Sequence, residues 1–282
     1  MNKHQALDTI VRQAALGELV FPTHMSASLR LQRALAEPHC HLESAAALVV
    51  AEPLIAARLV AIANSVAYTR FGGHVSNVRT ALTLLGLNPL KSLVAVIVVR
   101  QLASEISDPK LRQQAELLWR HCAEVAALAK VLAREFTAVP PETALFAGVV
   151  HEIDGFYLLS RANEFPALLE MDGDATPDQA NAAPDQARAA LAGCIFIALK
   201  IPRLVAAAMA SLYDEVSPTV PVTLGDVLAL ANHLAPQPSP LSARARWAPP
   251  DTFDFAVGGK TLRGVLKSST DEIKALTDAL LL

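Results

Sequence analysis

Cysteine is scarce in this chain of 282 residues: Cys40, Cys122 and Cys194 are the only three, far apart and odd in number. With no C-x-x-C pair the sequence carries neither a zinc knuckle nor a dithiol redox motif, and the three read as buried, reduced thiols. Glycine is sparse as well, 12 residues in all. No G-x-x-x-x-G-K-[ST], G-x-G-x-x-G or G-x-S-x-G run occurs, so phosphate-cradling loops and the hydrolase nucleophile elbow are absent. An excess of positive charge is also lacking, with 24 Lys and Arg against 27 Asp and Glu and a net charge of −3. Neither a nucleic-acid partner nor an acidic lipid surface is implied.

Long uninterrupted apolar runs are missing too. Glu52 and Arg58 break one, Lys91 and Arg100 another, and none reaches the roughly 20 residues of a membrane span. The opening Met1-Asn2-Lys3-His4-Gln5 lacks the basic-then-apolar layout of a signal peptide. A soluble, cytoplasmic protein is expected.

What the sequence does have is alanine, leucine and valine: 52% of residues are hydrophobic against 18% charged. That balance is far from disorder and favours helices packed through small side chains. Periodicity predicts helices over 4–20, 25–36, 42–50 and 53–65, with Pro53 in a first turn. A turn at Tyr68–His74 carries Gly72-Gly73. Helices follow over 76–85, stopped by Gly86, and 90–104, with Asn88-Pro89 as cap and first turn. The second of these is apolar nearly all round, as in a central helix. Further helices are predicted over 109–134, 141–159 (carrying His151), 161–170, 186–199, 202–213 and 222–235. Met171–Gln186 reads as a mobile loop, and Gln237–Pro250, with four prolines, as a linker or extended strap. Phe253–Val257 is a faint strand candidate. Ser269-Thr270-Asp271-Glu272 is a capping-box pattern before a terminal helix.

Several stretches, in order, resemble the HDOD domain. Glu52-Pro53-Leu54-Ile55 leads through Arg58-Leu59 to Asn64-Ser65 and Tyr68, with Glu52 where Asp is usual. Val75-Ser76-Asn77-Val78 precedes Ala81 and Leu85-Gly86. Leu118-Trp119-Arg120-His121-Cys122 and Ala147-Gly148-Val149-Val150-His151-Glu152-Ile153 follow, and Ala231-Asn232 with Leu234-Ala235 resembles the closing helix. The resemblance spans roughly residues 15–236. It implies an all-α, two-lobed multi-helix bundle: an N-terminal lobe over about 1–107, an HD-like lobe over 108–236, and a strap and helix over 237–282.

The resemblance also implies distant kinship with HD-type metal phosphohydrolases. There, imidazole and carboxylate ligands on neighbouring helices hold divalent ions that activate water and clamp phosphate. His121 matches the first His and His151 the His of the His-Asp pair. Glu152 replaces Asp, and Asp154 sits where Gly is usual. The later His positions fall near Arg188 and Leu212-Tyr213, and Arg188 would repel a cation. A lone ion on His121, His151 and Glu152 is the most these ligands could hold.

Two readings of the histidines stand side by side: core residues bonded to backbone or to each other's helices, and a vestigial pocket lined by His121, His151, Glu152, Asp154 and Arg188. Asn64 and Ser65 read as local caps, Trp119 as core, and Tyr68 as packing of its turn. Cys122 follows His121 directly on a helix, so the two cannot pair as nucleophile and base. No cofactor is expected. The function expected is non-enzymatic: a bacterial signal-transduction module that contacts other signalling proteins, including those handling cyclic dinucleotides. Lacking an attached receiver or output domain, it would take its input from elsewhere. A metal-dependent phosphohydrolase and a nucleotide sensor, the latter favoured by Arg188 or Arg203 near His121, are the alternatives.

Overall fold

The structure is a computed structural model that describes residues 2–19, 26–50, 53–63, 75–104, 106, 108–169, 177–199, 201–213, 220–241 and 254–281. Among the described residues the regular structure is helical apart from one hairpin of two-residue strands. In chain order the helices are α1 (Lys3–Ala15), α2 (Ser26–Ala36), α3 (Leu42–Val50), α4 (Pro53–Ala63), α5 (Val78–Leu85), α6 (Leu87–Ser104), α7 (Pro109–Phe136), α8 (Pro141–Val150), α9 (Ile153–Arg161), α10 (Pro177–Ala198), α11 (Arg203–Tyr213), α12 (Leu224–Leu234), α13 (Leu262–Ser268) and α14 (Thr270–Leu281). Strands β1 (Ala256–Val257) and β2 (Lys260–Thr261) pair antiparallel ahead of α13. Among the described residues, no single helix is long and apolar enough to cross a membrane.

Two cores divide the helices. Leu31, Leu35, Val49, Ile55, Leu59, Leu82 and Leu90 belong to the first, built from α2 to α6. The second gathers α7 to α14 with Ala6, Ile10 and Ala14 of α1, so α1 packs with the later lobe although it opens the chain. The all-round apolarity of α6 has a physical cause here. Its Leu90, Leu93, Val94 and Ile97 face the first core, and Ala95, Val96, Val98 and Val99 the second. A helix buried on both sides needs no polar stripe.

Several boundaries differ from the sequence expectation. α1 ends at Ala15, not near residue 20, because Gly17 adopts φ +80° and its N–H returns to Ala14 O. Gly86, also at φ +80°, ends α5 as expected, but α6 begins at once at Leu87. Asn88 is therefore inside α6, where its carbonyl accepts the Ser92 hydroxyl, and does not cap it. The expected helix over 141–159 is broken at His151-Glu152 into α8 and α9, and the expected helix over 161–170 is a short 3₁₀ turn at Pro166–Leu169. The loop expected over Met171–Gln186 is helical from Pro177 onward. Alanine-rich sequence and a proline at the first helical position outweigh the interior Pro184. No capping box is seen at α14: the Glu272 carboxylate that would reach back to Ser269 accepts from Arg134 instead. Cys122 is buried, as expected, whereas Cys40 and Cys194 are half-exposed. Glu52, Asn64, Ser65, Tyr68, the Tyr68–His74 turn and Phe253 lie outside the described residues.

The contact that sets the site is between α7 and α8. A Cβ built on Gly148 would stand 2.5 Å from Ala126 Cα and 2.8 Å from Ala126 N, both backbone atoms. Only hydrogen at residue 148 lets the two helices approach this closely. Gly148→Ala is therefore expected to destabilise the fold by about 1–3 kcal/mol through overpacking, read as a lower denaturant midpoint at unchanged slope.

Candidate functional site

The Gly148–Ala126 contact aligns α7 and α8 antiparallel, so one turn past Gly148 on α8 lies opposite about one turn before Ala126 on α7. Those positions are His151 and His121. They are 5% and 1% exposed, their ring centroids are 5.1 Å apart, and their Nε2 atoms are separated by 3.1 Å. His151 caps α8 in the break, and Glu152 follows as the residue before α9. Asp154, in the first turn of α9, is fully buried, where the helix N-terminus favours its negative charge.

The hydrogen bonds of the two imidazoles fix their tautomers. His121 Nδ1 lies 2.7 Å from the carbonyl of Gln237, and His151 Nδ1 lies 2.7 Å from the carbonyl of Gly148. A carbonyl only accepts, so each Nδ1 must carry the proton. In two neutral rings both Nε2 atoms would then point lone pairs at each other across 3.1 Å. A cation between them, a proton or a metal ion, removes that repulsion. Burial, and then the neighbouring His121, push the pKa of His151 down to about 4, so His151 resists protonation.

Arg188, on α10, closes the acid end. Its Nη2 donates to Glu152 Oε2 at 2.6 Å and its Nε to Asp154 Oδ2 at 2.7 Å, while Nη1 reaches the Leu241 carbonyl at 3.5 Å. Burial drives the Glu152 carboxyl up, but Arg188, then the two imidazoles and the Ser239 hydroxyl, outweigh it and hold the pKa at about 2. Cys122, beneath these acids, has its thiol pushed well up by burial and then by Glu152 and Asp154. Arg188 thus pairs with both buried carboxylates, as a low-dielectric interior requires of buried charge.

A segment beyond α12 covers this cluster. Gln237 accepts from His121 through its carbonyl and donates its N–H to Glu124 Oε2 at 2.7 Å. Ser239 hydrogen-bonds to Glu152. Leu241 presents its carbonyl to Arg188 and its Cδ1 to Gly155, where an added Cβ would meet it at 2.6 Å.

The structure thus brings together all five residues named from sequence: His121, His151, Glu152, Asp154 and Arg188. Trp119 stays out of the cluster as a core residue, edge-on to Phe156 with centroids 6.1 Å apart. Arg203 is exposed at the start of α11 and does not join them. Sequence reasoning missed Glu124, Gly148 and the covering residues Gln237, Ser239 and Leu241. The alternation Pro236, Pro238, Pro240 was the available signal for the last three.

A divalent ion, as HD relatives use, can be tested against these donors. One nitrogen each from His121 and His151 and one oxygen from Glu152 lie within 4.8 Å of one another, so a single ion could touch all three. Glu152 and Asp154, however, are both engaged by a fixed guanidinium. Arg188 brings positive charge onto both acids, and among the described residues no further imidazole joins the cluster. The residues present do not fit a two-ion phosphate clamp.

Comparison with known proteins agrees with this fold. Among solved structures, similarity extends over all or nearly all of this chain. A proposed metal-dependent phosphohydrolase from Shewanella amazonensis SB2B shares 19% identity and a TM-score of 0.65, covering 99% of this chain and 98% of its own. An HDOD domain protein with unknown function from Geobacter sulfurreducens shares 18% and 0.60, covering 98% of each. A proposed signal transduction protein from Marinobacter aquaeolei VT8 shares 16% and 0.58, covering 100% of this chain and 67% of its own. At these identities the likeness is one of fold. No curated protein matches the sequence. The model of the HDOD domain family matches residues 21–187, more than half of the chain, and the protein belongs to the HDOD domain family.

Proposed function

We propose that the protein is a non-catalytic signalling module, a bacterial HDOD chain that acts by contact with other signalling proteins, its HD-derived cluster retained as a structural centre. The observation that carries this reading is Arg188 seated on both Glu152 and Asp154. A guanidinium in that place neutralises the acids permanently, so the carboxylates are not offered to an exchangeable ion. The similarity in fold to a proposed signal transduction protein supports the same direction.

The competing reading is an HD-like phosphohydrolase holding one ion on His121, His151 and Glu152. Its support is the facing pair of Nε2 lone pairs, and it requires Glu152 to be shared between the ion and Arg188. A nucleotide sensor fits less well, because the donors of Arg188 are directed at Glu152, Asp154 and Leu241 rather than outward.

Metal analysis of the purified, untagged protein, grown with iron, manganese and zinc supplied, separates these readings. Substoichiometric metal together with no metal-dependent turnover of phosphomonoesters, phosphodiesters or cyclic dinucleotides is the expected result. Near-stoichiometric metal that disappears in His121→Ala or His151→Ala, accompanied by turnover, would overturn the proposal.

A further inference from the structure

The segment over the cluster has an unusual composition: Pro236, Gln237, Pro238, Ser239, Pro240, Leu241. Each proline fixes its own φ near −65° and removes a backbone donor. Each also holds the residue before it in the extended region. The chain here is stiff before it docks, and its carbonyls have few local N–H groups to bond. The residues between the prolines make the contacts: Gln237 to His121 and Glu124, Ser239 to Glu152, and Leu241 to Arg188 and Gly155.

The pocket answers with complementary groups. His121 Nδ1 and Arg188 Nη1 donate to main-chain carbonyls, Glu124 accepts a main-chain N–H, and Gly155 leaves a notch for the leucine side chain. Two carbonyls, one N–H, one hydroxyl and one apolar side chain are thus read along six residues. Most of this recognition is of main-chain groups, and the stiffness that the prolines impose lowers the entropy lost on docking.

We infer that the former HD pocket of this chain is a peptide-recognition site for a proline-alternating segment, occupied in cis by Pro236–Leu241. This rests on the non-catalytic reading, since a pocket filled by its own chain leaves no room for a phosphoester. The tethered segment acts as a built-in competitor. A partner segment of the same Pro-x-Pro-x-Pro-Leu chemistry gains the site only by displacing it.

The test uses the full chain with residues 236–241 replaced by a Gly-Ser run of equal length, and a fluorescent synthetic peptide spanning the native residues 234–243. The replaced protein is expected to bind the peptide. The intact protein is expected to bind on the order of 100-fold more weakly, if the peptide binds at about 10 μM and the tethered copy competes at an effective concentration of about 1 mM. Adding Glu124→Ala to the replaced protein should weaken the peptide about tenfold, since a charged acceptor for the Gln237 N–H is lost. If the replacement unfolds the chain, the milder Gln237→Pro, which removes that N–H together with the amide side chain, should still show tighter peptide binding than the intact protein. No binding to whichever of the two variants is folded, or equal binding to it and to the intact chain, overturns the inference. Metal-dependent phosphoester turnover by the replaced protein would instead overturn the non-catalytic reading, so the two fail separately.

Discussion

Exchanging Arg188 for methionine is expected to destabilise the protein by about 3–5 kcal/mol, the range for removing one partner of a buried ion network. The guanidinium lies 2.6 Å from Glu152 and 2.7 Å from Asp154, whose side chains are 10% and 0% exposed. Without it, two carboxylates share a space that excludes water, and burial with mutual repulsion pushes both pKa values up. A carboxyl whose folded pKa is raised contributes stability that is fully present below its unfolded value, about 4. That contribution is lost as pH rises through the folded value. The deficit of Arg188→Met should therefore be smaller at pH 5 than at pH 8. Adding Glu152→Gln and Asp154→Asn to the methionine variant should recover most of the loss, because no unpaired charge then remains. Denaturant unfolding of the three proteins at both pH values gives the comparison. A single variant within about 0.5 kcal/mol of the parent at pH 8, the scatter expected of a surface change, would mean that Arg188 does not balance the acids.

The parts of this molecule legible in its sequence are those written in short-range patterns. Helix existence followed from apolar periodicity, and the central position of α6 from a run of Leu, Val and Ile with no polar stripe. The five residues of the cluster could be named because the HDOD resemblance fixes their order along the chain. Their arrangement could not, because it depends on which atoms face which across α7, α8, α9 and α10. Arg188 was read as a residue that would repel a cation. That it replaces the cation on Glu152 and Asp154 needed the angle at which α10 crosses α9. Gly148 stood within a family stretch without showing its role, which is to carry no Cβ where one would stand 2.5 Å from a backbone atom 22 residues earlier. The break at His151-Glu152 was hidden for a related reason. Neither residue breaks helices strongly by itself, and tertiary packing overrode propensity there. The proline-alternating segment was visible, but nothing local tells a linker from a strap that fills a pocket.

Acid is expected to unfold the protein through the same cluster. The pKa of His151 is lowered to about 4 by burial, then by His121, against an ordinary value of 6.5. A group with a depressed folded pKa contributes stability above its unfolded value, which is lost as pH falls through the folded one. For His151 that window runs from about 6.5 down to about 4. There the unfolded chain carries a proton that the native pair refuses, so stability should fall by up to about 1.4 kcal/mol per pH unit, or about 3 kcal/mol across the window. Glu152, held at about 2, extends the decline in the same direction below about 4.5. His233, lowered by its own burial, adds to the slope of the parent, so the parent alone does not isolate the cluster. His151→Gln does so, because an amide can still donate to the Gly148 carbonyl yet takes up no proton. Its unfolding free energy should fall less steeply than the parent's between pH 6.5 and 4, by about one proton's worth of slope. Parallel slopes for the two proteins would show that His151 is as readily protonated folded as unfolded.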